Sequence, residues 1–129
     1  AGKIYNTWPL MGSTYFPDDN YFKNLLSINA FNDPSLVQFI HRNLAYLILL
    51  SYLTILYRAY KNQIKELYFP INLIGFFLLL QIILGILTLL YGAQIFLASM
   101  HQISSIFLVS SCIYLLFLNT NNTNQQLSS

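Results

Sequence analysis

The chain has 129 residues, of which 56% are hydrophobic and only 8% charged, against roughly 25% charged in a soluble domain. That length allows at most one domain. A net charge of +2 without a basic stripe excludes a nucleic-acid partner. From Leu67 to Ser129 there is no charged residue at all, and a water-soluble core could not use so much continuous apolar sequence. The composition implies an all-α integral membrane protein with the lipid bilayer as its first partner. The single cysteine, Cys112, can form neither an internal disulfide nor a CxxC metal site and reads as a small apolar packing residue. No secretory signal is visible, and a start at Ala1 suggests a fragment or a processed product.

Residues 1–33 differ from the rest. Pro9, Pro17, Gly2, Gly12 and the Asp18-Asp19-Asn20 cluster signal loops, and Tyr5, Trp8, Tyr15, Phe16, Tyr21, Phe22 and Phe31 supply dense aromatics. Rings with polar handles favour the headgroup layer, so an extracytoplasmic interfacial loop is predicted. Within it, Asp19 or Asn20 could cap a short amphipathic helix carrying Phe22, Leu25, Leu26 and Asn29 on one face.

The first membrane helix is predicted over 34–57, with Asp33 as N-cap and Pro34 in the first turn, where its missing N–H costs nothing. About 24 residues suffice to cross a bilayer. A second span is predicted over 69–91, with Gly75 and Gly85 permitting close approach of a neighbouring helix or a flat ligand. A turn at Gly92 leads to a third span over 96–118, and the Asn/Thr/Gln/Ser tail 119–129 reads as disordered. Its Asn121-Asn122-Thr123 sequon falls on the wrong side of the membrane and reads as a chance match. Arg58, Lys61 and Lys65 cluster in the first connection, against a single Glu66, and place that connection inside.

Two ionisable rings stand out against this background. His41, followed by Arg42, sits at the mouth of the first apolar run, and His101 opens the third in the same way. A histidine at membrane depth is costly and reads as functional. Spans one and three run in the same direction, so both rings fall at similar depth near the outer face. Both also lie near helix N-termini, where the dipole favours the neutral, ligating imidazole. Facing helices of a bundle commonly hold a cofactor between them, and a haem iron with two axial histidines suits the pair. Zinc would require further ligands, and no carboxylate or thiol is placed to supply them. Gln38 or Gln102 could accept a ligand's second N–H. Ser104 and Ser105 could leave room for a flat ring, and Arg42 could pair with a propionate. Each residue also has a plain reading: histidines and serines bonding helix to helix, and Arg42 snorkelling to the headgroups.

Three stretches carry a family resemblance: Tyr5-Asn6-Thr7-Trp8-Pro9-Leu10-Met11-Gly12; Val37-Gln38-Phe39-Ile40-His41-Arg42; and Gln81 to Leu90 followed by Leu97-Ala98-Ser99-Met100-His101-Gln102. In order and spacing they resemble the haem A synthase family (CtaA type), over nearly the whole chain before the tail. That family has eight membrane helices in two similar halves and oxidises a ring methyl of haem O to a formyl, making haem A for cytochrome oxidase. The resemblance implies the C-terminal half without its first helix, so that three spans form most of a four-helix haem-binding bundle. It makes His41 and His101 the axial, iron-binding ligands of haem b, with Arg42 at the haem edge. It places the haem O substrate and the catalytic residues in the missing N-terminal half; the only glutamate here, Glu66, lies in the inner connection.

Expected partners are an electron donor, haem O synthase and a second copy of the protein. The expected location is the bacterial plasma (inner) membrane or the mitochondrial inner membrane. Two departures stand out: Ile40 replaces an acidic residue that many members carry, and the turn at Gly92 to Phe96 has no proline. The competing readings are a bis-histidine cytochrome b that only transfers electrons, and a membrane subunit without haem.

Overall fold

The computed structural model describes residues 5–128, without the side chains of residues 29 and 122–128. Ala1 and Gly2, and the side chains of Asn29, Asn122 and Thr123, therefore lie outside the described residues. Three helices dominate: α1 (Pro34–Lys61), α2 (Tyr68–Leu90) and α3 (Ile95–Ser128). All three contain a stretch long and apolar enough to cross a membrane, and among the described residues there is no β-strand, only an isolated bridge between Met11 and Thr14. The protein is an all-α, multi-pass membrane protein.

The helix ends follow local chemistry. Asp33 caps α1, its carboxylate accepting from the backbone N–H groups of Ser35 and Leu36 at 2.9 and 3.2 Å, with Pro34 in the first turn. At the other end α1 runs past Tyr57 to Lys61, because Arg58 and Lys61 suit the negative end of the helix dipole. Gln63, at φ 54°, turns the chain away. The α2–α3 turn uses left-handed backbone at Gly92 (φ 69°) and Ala93 (φ 57°), whose N–H groups satisfy the carbonyls of Leu89 and Thr88.

Two stretches depart from the sequence reading. Helix α3 continues through the polar residues expected to form a disordered tail. No proline or glycine interrupts it, and extending a formed helix requires fixing only one residue per hydrogen bond. In the N-terminal loop the expected amphipathic helix is replaced by two 3-10 helices, Phe22–Leu26 and Ile28–Asn32, broken by extended backbone at Ser27. Asp19 and Asn20 do not cap it. Asp19 accepts from the hydroxyls of Tyr5 and Ser35, and Asn20 donates to Asp33, so both side chains tie the loop to the start of α1. Phe22, Leu26 and Ile28 all point outward.

Helices α2 and α3 pack along one another, with Phe77 stacked on Phe107 at 5.5 Å. Helix α1 joins this hairpin chiefly through its C-terminal half, where Tyr52, Leu56 and Ala59 meet Ile71 of α2 and Leu115 and Leu118 of α3. Gly75 makes the α1–α2 approach possible: a Cβ there would collide with the Tyr52 hydroxyl. Most other apolar side chains face outward, Leu44, Leu47 and Leu50 of α1 among them. Cys112, expected as a packing residue, also faces out of the hairpin.

Candidate haem site

The two histidines meet at the end of the bundle opposite the apolar cluster. His41 projects from α1 and His101 from α3, and their ring centroids lie 6.3 Å apart with the planes at 75°. The seat for His101 is on α2. Gly85 lets the ring lie against the helix; a Cβ there would stand 3.1 Å from its Cε1 and 3.5 Å from its Nδ1. One turn earlier on the same face, Gln81 Nε2 lies 3.3 Å from His101 Nε2. Ser104 Oγ in turn contacts Gln81 Oε1, and lies 3.0 Å from the backbone carbonyl oxygen of His101. His101 Nδ1 is buried with no hydrogen-bond partner.

The other expected neighbours are occupied differently. Gln38 is buried, but its amide donates to the Tyr5 carbonyl at 2.8 Å rather than touching a histidine. Gln102 is exposed, and its backbone carbonyl accepts from Ser105 Oγ at 2.6 Å. The amide that lies beside a histidine is Gln81. Sequence could have flagged Gln81 as the amide deep inside the uncharged second span, spaced i, i+4 from Gly85, Asn72 lying near the start of that span.

Arg42 departs most from expectation. Its guanidinium reaches four loop carbonyls: Pro9 at 3.3 Å and Leu10 at 3.1 Å through one nitrogen, Tyr5 at 3.5 Å and Thr7 at 2.8 Å through the other. Only the Nε–H is left, buried and unpaired. Arg42 gathers the loop onto α1, one residue from His41. Tyr15 and Phe16 close the same corner against Phe39, at centroid distances of 5.6 and 5.1 Å, and the Tyr15 hydroxyl donates to Asn43. In the loop itself, the Thr14 hydroxyl and then the Ser13 N–H hold the Asp18 carboxyl below its ordinary pKa. The Asn20 amide, and then the N–H of Leu36, do the same for Asp33. Burial, then the bond to Asp19, raises the Tyr5 phenol, which stays a donor.

An iron porphyrin suits this pair. Two metal–imidazole bonds of about 2.0 Å, together with the half-widths of two rings, span about 6 Å. A porphyrin supplies the equatorial ligands itself, and among the described residues no three His, Cys, Asp or Glu side chains cluster to build an all-protein metal site. The Cβ-free seat at Gly85, which lets the His101 ring lie against α2, and the nearness of the His41 ring are consistent with a ligating pair.

Fold and site together define a multi-pass helical membrane protein with a two-histidine site between its first and last spans. The chain belongs to the COX15-CtaA family of cytochrome oxidase assembly proteins, whose profile matches residues 1–113. It is similar to the heme A synthase of Pelagibacter ubique, 39% identical over 124 residues, covering 94% of this chain and 35% of that protein. The heme A synthase of Wolbachia pipientis wMel is 40% identical over 116 residues, covering 90% of this chain and 31% of the relative. That of Rickettsia felis is 39% identical over 125 residues, covering 92% and 35%. The chain thus spans about a third of the length of the curated relatives it matches. No solved structure matches it.

Proposed function

We propose that this chain is the haem b-bearing part of a haem A synthase, an oxidoreductase that converts the ring methyl of haem O to the formyl of haem A. The observation that carries this reading is the approach of His41 and His101 to 6.3 Å in a chain of this family. His41 of α1 and His101 of α3 would hold the haem iron. When bound, a haem iron supplies one-electron redox chemistry, and imidazole at both axial positions suits electron transfer rather than oxygen activation. Oxidation of haem O therefore belongs to the remainder of the longer protein, where the substrate and catalytic groups would lie.

The other residues organise the pocket. Gly85 provides the flat seat, and Arg42 holds the Tyr5–Leu10 loop over the outer edge, its Nε–H being the donor left for a propionate. The cluster of Arg58, Lys61 and Lys65 orients that end of α1 inward, so the histidines face the outer side of a bacterial plasma membrane or mitochondrial inner membrane. An electron donor and haem O synthase are the expected partners, and assembly with a second copy fits the outward apolar faces.

The test is a reduced-minus-oxidised absorption spectrum of the purified full-length protein beside His41→Ala and His101→Ala. A low-spin b-type signal that either substitution abolishes or converts to high spin is expected. A signal indifferent to both changes, or no haem in the parent, refutes the assignment.

A further inference from the structure

At the C-terminal end of α1, away from the histidines, α1 and α2 leave an open groove between them. Leu53, Leu56, Tyr57, Tyr60 and Lys61 of α1 line it, with Asn72 of α2. Its volume of about 580 Å³ lies within the range of about 300–1,000 Å³ that bound ligands fill. The lining is ordered along the helix axis. Leu53 stands eight residues before Lys61, about 12 Å at the helical rise, so the groove is apolar at depth and polar at the helix end. There the Lys61 ammonium lies 5.5 Å from the centroid of the Tyr57 ring, and Tyr60 stacks on Tyr68 at 4.3 Å. Asn72 Nδ2 donates to the Tyr60 hydroxyl at 3.0 Å, and an amide nitrogen has a second proton to give. Charge at this end is unbalanced. Arg58, Lys61 and Lys65 face a single carboxylate in sequence, Glu66, since Asp18, Asp19 and Asp33 all precede α1.

We propose that this groove binds an anionic phospholipid from the leaflet at that end of the spans, with an acyl chain along Leu53 and Leu56 and the phosphate beside Lys61. The order of the lining matches the order of a lipid. Apolar side chains meet the chain, and tyrosines stand at the depth of the glycerol esters, where amphipathic rings are favoured. Asn72 has an N–H to offer an ester carbonyl, and Lys61 the charge for the phosphate, with Arg58 one turn before it on α1. Basic pockets between membrane helices bind anionic head groups for this reason. A zwitterionic lipid brings its own cation to the same cluster and loses that attraction, while a free phosphate has nothing to place against the leucines. The cations that orient α1 thus also hold a lipid against it. The site lies at the opposite end of α1 from His41 and is independent of the haem reading.

The experiment is fluorescence quenching in the full-length protein, reconstituted in phosphatidylcholine vesicles that contain acyl-brominated phosphatidylglycerol or acyl-brominated phosphatidylcholine. Leu53→Trp puts a reporter in the apolar part of the groove, at a side chain 47% exposed, and its emission is the difference from the parent. Tyr57→Trp, which keeps a ring under Lys61, is a second reporter and should rank the lipids in the same way. One basic side chain at a membrane surface favours an anionic lipid about fivefold. Half-quenching should therefore need about fivefold less brominated phosphatidylglycerol than brominated phosphatidylcholine, or a still smaller amount if Arg58 also engages. Lys61→Gln should remove about fivefold of that preference, and Lys61→Arg should keep it. Inorganic phosphate at millimolar concentration should leave the quenching unchanged. Equal quenching by the two lipids refutes the proposal, as does a preference that survives Lys61→Gln and Arg58→Gln together. Quenching by neither lipid would mean that another part of the protein covers the groove, and reversal by phosphate would mean an anion site without a lipid; either result overturns it.

Discussion

Replacing Arg42 with alanine should release the N-terminal loop from α1 while leaving the helices in place. The guanidinium is the common partner of the Tyr5, Thr7, Pro9 and Leu10 carbonyls. Only the bonds to Thr7 and Leu10, at 2.8 and 3.1 Å, have good length; those at 3.3 and 3.5 Å contribute less. A hydrogen bond to a charged group is worth about 1.5–3 kcal/mol net, and the low end applies because Thr7, Pro9 and Leu10 are exposed and their carbonyls regain water. Two such bonds give about 3 kcal/mol, or roughly a hundredfold in the docking equilibrium of the loop. Trp8, the only tryptophan, lies between two of the bonded carbonyls and reports the change in its fluorescence. Amide exchange supplies the number. The N–H of Met11 bonds to Thr14 and that of Gly12 to Thr7, and both should exchange roughly a hundredfold faster in Arg42→Ala. Amides of α2 and α3 should not change. Arg42→Lys should rescue only in part, since an ammonium keeps the charge but not the planar fork. Exchange of Met11 and Gly12 within a few-fold of the parent in Arg42→Ala would refute the loop-anchoring role.

Three further outcomes follow from the same contacts. Gly85→Leu should fill the seat of His101 and eliminate the low-spin haem spectrum, whereas Gly85→Ala, meeting the ring at 3.1 Å, should cost about 1–3 kcal/mol in thermal stability and broaden that spectrum; full haem content in Gly85→Leu would contradict the seat. Gly75→Ala should push the Tyr52 hydroxyl aside and lower stability by about 1 kcal/mol, the loss shrinking in a Tyr52→Leu background; additive losses by thermal melting would show that the two residues do not meet. The loop should also loosen on acidification. Asp18 and Asp33 have folded pKa values below their ordinary range, so their contribution is complete above the usual carboxylate value of about 3.9 and is lost as pH falls below it through the folded values. Trp8 fluorescence should therefore hold steady from neutrality to about pH 4 and change beneath it. Asp33→Asn, which keeps a capping oxygen, should reduce that change, and a transition centred near neutrality would contradict the assignment.

Much of the fold was legible because membrane sequence is a strong code. Long uncharged runs require helices, since no other segment satisfies its own backbone in lipid. Asp33-Pro34 marks one helix start by chemistry local to those residues, and Gly92 supplies the left-handed turn before the last span. The errors arose where the signal was weak or non-local. The polar tail continues as helix because a formed helix supplies its nucleus, a fact that composition does not encode. Asp19 and Asn20 looked like caps, but the acceptors and donors they found belong to Tyr5, Ser35 and Asp33.

By itself the sequence determined that this chain crosses a membrane as three helices and carries an imidazole near the start of the first and the last. Those properties follow from local composition and spacing. Only the tertiary structure decided which side chains lie around those imidazoles. Gln81 and Gly85 lie in a different helix from either histidine, and Arg42 finds its partners more than thirty residues away in the loop. Amides, guanidinium groups and glycines act on whatever packing brings within a hydrogen bond or a van der Waals radius, and that proximity is set by how helices and loop assemble, not by order along the chain.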